Sequence, residues 1–88
     1  MRQRKGLSVW NIEGKEYHKL YDTVIVERDG DKVTLNTGGW KTNHTKNCMN
    51  DFLKLFGFRV SQVDFVWYVS GPSDTVRFDD DKITLTIA

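Results

Sequence analysis

Residues 36–46, NTGGWKTNHTK, contain the side chains of this sequence that are best suited to bind an anion. Two glycines precede a tryptophan, two lysines, a histidine and several hydroxyl or amide side chains. If a helix begins in this stretch, its first backbone amides lack intrahelical acceptors and lie at the positive end of the helix dipole, which together favour phosphate binding. A tryptophan beside such a site can stack on a base. The stretch therefore predicts a site for a phosphate group or for nucleic acid.

The candidate anion-binding residues are those of this turn together with the basic residues near the N-terminus. They are Gly38, Gly39, Trp40, Lys41, Thr42, Asn43, His44, Thr45, Lys46, Arg2, Arg4 and Lys5. Their spacing matches neither a Walker loop nor the dinucleotide-binding glycine fingerprint. A simpler interpretation stays open, in which the glycines only bend the chain, Thr42 or Asn43 caps the helix, Trp40 packs as a hydrophobic staple and the lysines are solvated.

The other reactive side chains form no recognisable site. His44 and Cys48 are four residues apart on the predicted helix, but two ligands do not make a metal site. Cys48 falls on the apolar side of that helix, where a thiol is inert. His18 has charged neighbours and is expected at the surface. Since no set of nucleophile, base and acid can be assembled, we expect no enzyme activity, no bound metal and no cofactor.

Residues 35–50, LNTGGWKTNHTKNCMN, resemble a signature of small bacteriophage proteins that reads Leu-Asn-Ser/Thr-Gly-Gly-Trp-x-Thr-x-Thr-Thr-Lys-x-Arg-Met-Asn. The matching residues are Leu35, Asn36, Gly38, Gly39, Trp40, Thr42, Thr45, Lys46, Met49 and Asn50. His44 stands where the signature has threonine and Cys48 where it has arginine, so one basic charge of the helix is missing. The resemblance implies a phage protein acting in the cytoplasm of an infected bacterial cell, and it implies no particular activity.

Length and charge limit the kinds of protein this chain can be. We expect one domain over residues 1–88, with a short basic tail at about residues 1–6, because 88 residues enclose only a small core. The net charge is +1, with nine Lys or Arg against six acids in residues 1–46 and four against six afterwards. This balance excludes a broad basic face, so a nucleic-acid contact has to be local. Apolar runs are too short for a membrane span or a secretory signal, and we expect neither.

Two segments alternate apolar and polar residues around an acidic turn. They are residues 23–37, TVIVERDGDKVTLNT, and residues 75–87, TVRFDDDKITLTI, and both contain the pattern Asp-Lys-Val/Ile-Thr-Leu. Alternation of β-branched residues is typical of half-buried strands, and Asp29-Gly30 favours a tight turn. The sequence therefore predicts two antiparallel hairpins. Their likeness is expected of hairpins in general, and an internal duplication is the less favoured alternative.

One helix is predicted between the hairpins, over about residues 43–56. Cys48, Met49, Phe52, Leu53 and Phe56 share one side of it, and Gly57 follows where a left-handed residue ends many helices. Residues 58–71 are expected to form one long strand or two short ones. Residues 7–12 are expected to add a strand, whereas Tyr17, Leu20 and Tyr21 fit a helical turn.

These elements predict an α+β fold, a two-layer sandwich of one antiparallel sheet of four to six strands and one helix in the order ββ-α-βββ. The function we expect is binding of nucleic acid or a phosphate group through residues 38–46. The alternative is a protein-binding inhibitor or modulator of a host enzyme or defence complex, because Trp10, Tyr17, Tyr21 and Tyr68 exceed the needs of a small core. A homodimer through an edge strand is a further possibility, since the last strand has no charge after Lys82.

Overall fold

The computed structural model describes residues 4–78 and 80–87, which form eight strands and one α-helix. In chain order the elements are β1 (Leu7–Ile12), β2 (Lys15–Leu20), β3 (Thr23–Asp29), β4 (Lys32–Asn36), α1 (Asn43–Leu53), a 3₁₀ helix (Lys54–Phe56), β5 (Arg59–Val63), β6 (Val66–Ser70), β7 (Thr75–Arg77) and β8 (Lys82–Thr86). The α+β class with antiparallel sheets and one helix is thereby confirmed. The order, however, is four strands, the helix and four strands, rather than ββ-α-βββ.

The strands divide into two antiparallel sheets instead of the single sheet that was predicted. The larger has the order β1-β2-β3-β4-β8 and the smaller the order β5-β6-β7. In the larger sheet, Val33 and Leu35 of β4 point into the core and Thr34 points outward, as the alternation requires. Gly30 adopts φ 62° between β3 and β4, so the Asp-Gly pair makes the tight hairpin expected from it.

The helix joins the two sheets. Cys48, Met49, Phe52 and Leu53 are buried along one side of α1, and Gly57 ends the following 3₁₀ helix with φ 79°, as predicted. On the smaller sheet, the Asn50 side chain donates to the carbonyl of Val60 at 2.9 Å and accepts from its amide at 2.7 Å. On the larger sheet, the Phe52 ring meets the edge of His18 at 4.9 Å between centroids.

Apolar side chains from both sheets and the helix form one core. The most deeply buried members are Ile25, Val26, Val33, Leu35, Met49, Leu53, Val60, Trp67, Val69 and Phe78. Ile25 and Val26 are consecutive, yet both are buried, because a register shift between His18 and Lys19 in β2 places an extra β3 residue at the core.

The second predicted hairpin, over residues 75–87, is wrong. β7 pairs with β6, whereas β8 pairs with β4 of the other sheet. Between them Phe78 is buried 6.1 Å from the Trp67 ring and donates its amide to the Trp67 carbonyl. This inward residue carries the chain from one sheet to the other. The acidic turn has no glycine to reverse the chain tightly, and its Asp79 lies outside the described residues.

Near the N-terminus the strand predicted at residues 7–12 is confirmed as β1. The helical turn predicted for Tyr17, Leu20 and Tyr21 is wrong, because β2 extends to Leu20 and Tyr21 lies in the turn that follows it. His18, expected at the surface, is buried against Phe52, and Glu16 binds its Nε2. Of the two alternatives for residues 58–71, the structure shows two short strands, β5 and β6. Trp67 and Val69 lie on the buried side of β6. Val63 and Phe65 alternate with Trp67 and Val69 in the sequence, but both are exposed, at the end of β5 and in the turn that follows it.

Replacing Asn50 tests how α1 is held. In Asn50→Ala the buried backbone of Val60 loses both hydrogen bonds, and we expect a loss of about 2–3 kcal/mol in the free energy of unfolding, measured by urea denaturation. Asn47→Ala, on the exposed side of the same helix, is the control and should change stability by less than about 0.5 kcal/mol. Equal effects of the two substitutions would contradict this role of Asn50.

Candidate nucleic-acid interface

Thr37 fixes the turn between β4 and α1. It is 1% exposed, and its amide and hydroxyl donate to the Asp81 backbone carbonyl at 2.7 Å and to its side-chain Oδ1 at 3.1 Å. Its own carbonyl accepts from the Trp40 amide at 2.9 Å, and its hydroxyl oxygen accepts from the Gly39 amide at 3.2 Å. The end of β4, the start of β8 and the segment before the helix are therefore held by one side chain and its backbone.

The two glycines serve the bend of this turn. Gly38 and Gly39 have φ angles of 62° and 86°, and a Cβ at Gly38 would lie 2.7 Å from Cγ2 of Thr23. Their amides donate to side-chain oxygens of Asn36 and Thr37, at 3.0 Å and 3.2 Å. Because the turn satisfies these amides itself, neither glycine offers an amide to an anion. The geometry of the two glycines therefore agrees with the simpler interpretation, in which they only bend the chain.

The first turn of α1 is only partly capped. Thr42 is the N-cap residue, and its hydroxyl accepts from the Thr45 amide at 3.2 Å while its carbonyl accepts from the Lys46 amide at 3.0 Å. Within residues 4–78 and 80–87, the amides of Asn43 and His44 have no acceptor, and no acidic residue lies in the first turn. Two backbone donors at the positive end of the helix dipole are therefore open to an anion.

Trp40 does not act as a hydrophobic staple. Its side chain is 66% exposed, although its amide is fixed by Thr37. An exposed indole on an anchored backbone is available for stacking with a planar group.

A pocket of about 780 Å³ lies between the start of α1, the β2–β3 turn and the N-terminal segment. It is lined by Lys5, Leu20, Tyr21, Asp22, Thr23, Ile25, Thr37, Trp40, Thr42, His44 and Thr45. Lys5, Trp40, Thr42, His44 and Thr45 were predicted as site residues from the sequence, and the fold brings these five together. The pocket therefore combines two exposed aromatic side chains, Trp40 and Tyr21, with polar and charged side chains such as Lys5 and Thr42.

Tyr21 is one of the six lining residues that were not predicted as anion-binding residues, and the sequence indicated it only as an aromatic for a protein interface. It is 59% exposed, and its backbone adopts φ 54°, which is uncommon for a residue other than glycine. Its ring packs on the backbone of Gly6 and lies 6.3 Å from the His44 ring, whose Nε2 is 2.8 Å from the Lys5 carbonyl. This contact is not evident from the sequence, because the β3–β4 hairpin separates the β2–β3 turn from the helix along the chain.

The predicted basic residues do not converge as a group. Arg4 binds Asp51 through two hydrogen bonds, with Nε 2.7 Å from Oδ2 and Nη2 3.2 Å from Oδ1. The hydrogen bond from Arg4 lowers the pKa of Asp51, so the carboxylate stays ionised and offsets the charge of Arg4. Lys5 lines the pocket, whereas Lys41 and Lys46 lie outside its lining and Arg2 lies outside the described residues.

Cys48 is buried at 1% exposure, and burial raises the pKa of its thiol, as expected for an inert side chain. In the described part of the chain, no cluster of three or more His, Cys, Asp or Glu residues is placed to hold a metal ion. Among the same residues, no helix combines the length and apolarity needed to cross a membrane.

A comparison with protein families matches residues 7–85 to the family described as Kyanoviridae Gp96 protein. Comparisons with curated proteins and with solved structures each gave no match. The family match spans both sheets and the helix, and it includes the turn that forms the pocket.

Thr37→Val tests the turn, because valine keeps the shape of threonine but removes the hydroxyl. The Gly39 amide and the Asp81 carboxylate then lose a partner, and we expect the free energy of unfolding to fall by about 1–2 kcal/mol and the Trp40 emission to shift. Thr75→Val, which removes an exposed hydroxyl bonded to Ser70, is the matched control and should be nearly neutral. Unchanged stability in Thr37→Val would contradict the role given to this side chain.

Proposed function

We propose that this chain, which belongs to the Kyanoviridae Gp96 family of phage proteins, binds single-stranded nucleic acid at the pocket beside the start of α1. The observation that supports the proposal most directly is Trp40, 66% exposed in the lining of the pocket while its backbone is held by Thr37. An unpaired base stacks on this indole, and every base has a face suited to such stacking.

The start of the helix supplies the phosphate contact. The amides of Asn43 and His44 face no acceptor among the described residues, and Lys5 adds a positive charge in the pocket lining. Asp22, also in the lining, opposes an anion on its side of the pocket, which confines the phosphate to the helix side. The site therefore holds one phosphate and the base next to it. This is a binding function, without a catalytic step, and it operates inside an infected bacterial cell.

Salt dependence separates this local contact from a broad electrostatic one. With Arg4 paired to Asp51, one phosphate contact remains, and the slope of log affinity against log salt should be about −0.7 for a single strand. A slope steeper than about −3 would indicate that the protein uses another, more basic surface.

Trp40→Ala should weaken binding of short DNA or RNA oligonucleotides by about 5- to 150-fold, since one stacked base contributes about 1–3 kcal/mol. Fluorescence anisotropy of labelled oligonucleotides at low salt measures the affinity. Phe65→Ala is the matched control, because Phe65 is 91% exposed in the turn between β5 and β6 and should leave affinity unchanged. If neither DNA nor RNA binds, or if both substitutions act equally, the proposal fails.

Phe65 itself is the observation that favours a second function, binding of a host protein. Phe65 and Asp64 have φ angles of 68° and 50°, in the left-handed region, and Val63 beside them is 57% exposed. A large apolar side chain at a strained, exposed position gains little from burial within the chain, and exposed aromatic side chains often anchor protein interfaces.

Replacement of Phe65 distinguishes a role in protein binding from a role in stability. Phe65→Gly removes the left-handed strain, so stability should stay within about 1 kcal/mol of the wild type while capture of a host protein from bacterial lysate is lost. Leu55→Ser, at another exposed apolar position, is the control and should retain capture. If no protein is captured by the wild type, or if Phe65→Gly still captures it, this second function is excluded.

A further inference from the structure

Strand β8 forms one edge of the five-stranded sheet, with β4 on one side and no described strand on the other. The hydrogen bonds at its two ends reveal which residues face β4. Asp81 accepts from the Thr37 amide, and Ile87 donates to the Asp31 carbonyl. Because backbone groups alternate in direction along an antiparallel strand, Ile83 and Leu85 also bond to β4. The amides and carbonyls of Lys82, Thr84 and Thr86 therefore point away from the sheet.

The sequence of β8 is suited to antiparallel pairing with itself. Its neighbour β4 reads KVTLN and β8 reads KITLT, so β8 already pairs with a strand of nearly its own sequence. In that pairing Thr34 lies opposite Thr84 and Lys32 opposite Thr86, and the hydroxyl and ammonium groups are 3.2 Å and 3.1 Å from the threonine Oγ1 atoms. Two copies of β8 present the same types of side chain to each other.

We propose that β8 pairs antiparallel with β8 of a second copy of this chain, about a two-fold axis at Thr84. Thr84 then lies opposite Thr84 of the second copy, and Lys82 lies opposite Thr86. All three outward-pointing residues of each strand form hydrogen bonds, and the two five-stranded sheets become one continuous sheet. This inference is independent of the nucleic-acid proposal.

The charge of Lys82 favours antiparallel over parallel pairing of the two β8 strands. In the antiparallel pairing the two Lys82 side chains lie at opposite ends of the interface, four residues apart along each strand, or about 13 Å. A parallel arrangement would set the two lysines side by side, where like charges repel. Beyond Lys82 the strand has no charged side chain to oppose a partner.

A groove of about 410 Å³ runs beside the inner face of β8 and receives apolar side chains of the second copy. Its lining includes the apolar residues Phe56, Phe58, Val69, Pro72, Val76, Leu85 and Ile87. In the proposed register Ile83 of the second copy lies opposite Leu85, which puts it next to this lining. Val76 is 44% exposed and can be covered in this way.

The opposite edge, β1, is less suited to the same pairing. Tyr21 donates to the Gly6 carbonyl, so the even-numbered residues of β1 bond to β2 and Leu7, Val9 and Asn11 face outward. The Leu7 amide already donates to the carbonyl of Arg4, which leaves two outward amides where β8 has three. This edge therefore supplies a matched control with the same kind of backbone geometry.

Thr84→Pro tests the pairing without disturbing β4, because the amide that proline removes points outward and proline is tolerated at such edge positions. Sedimentation over micromolar to millimolar concentrations should show the wild type approaching twice its 10.2 kDa mass, and Thr84→Pro should raise the dimer dissociation constant by at least ~30-fold. Asn11→Pro, at the outward amide of β1, should leave dimerisation unchanged. A wild type that stays monomeric, or a dimer lost in Asn11→Pro and kept in Thr84→Pro, overturns the proposal.

A crosslink provides a second measurement if Thr84→Pro fails to fold. Paired residues of an antiparallel ladder have Cα atoms about 5.5 Å apart, within the range of about 4.4–6.8 Å that a disulfide spans. Under oxidised glutathione, Thr84→Cys should form a covalent dimer, whereas Asn11→Cys should not. The native Cys48 is 1% exposed and gives the background. No crosslink in Thr84→Cys, or equal crosslinking in both variants, overturns the proposal.

Discussion

The hydrogen bonds of Thr37 are the constraint on which both surfaces of the protein depend. Its amide and hydroxyl hold Asp81, which aligns β8 beside β4 and determines which amides of β8 point outward. Its carbonyl and hydroxyl oxygen hold Trp40 and Gly39, which place the indole beside the start of the helix. A buried threonine with all of these groups satisfied costs little to desolvate, and loss of its hydroxyl would leave two partners unpaired. The sheet edge and the pocket are thus consequences of one local arrangement.

The hydrogen-bonded residues of the turn and of the helix serve the fold. Gly38 is needed because a side chain would collide with Thr23, and Asn36 closes the bend by accepting the Gly38 amide. Asn50 serves the other end of the helix by binding Val60. None of these contacts uses the indole of Trp40, which is why that side chain is the strongest candidate for contact with a ligand.

Local patterns predicted most of the elements, β2 excepted, and the pairing of strands distant in sequence was not predictable from them. The hairpin at Gly30 follows from an Asp-Gly turn between alternating strands, and the helix follows from its apolar stripe and Gly57. The second hairpin failed because Phe78 gains more from burial against Trp67 than from leading a tight turn. The sequence also identified five of the eleven residues that line the pocket, but it did not place Tyr21 or the rest of the β2–β3 turn there, since no local signal places that turn opposite the helix.

The likeness of residues 31–35 and 81–85 has a physical meaning that differs from a repeated hairpin. In the fold these segments lie side by side with opposite directions, so that Val33 faces Leu85 and Leu35 faces Ile83. Their alternation places matching apolar residues on the core side and threonines on the solvent side of one sheet. Similarity between neighbouring antiparallel strands makes each of them a good partner for a copy of the other. Because β8 keeps one side of its backbone unpaired within the described residues, that same similarity is the basis of the pairing that we propose with a second molecule.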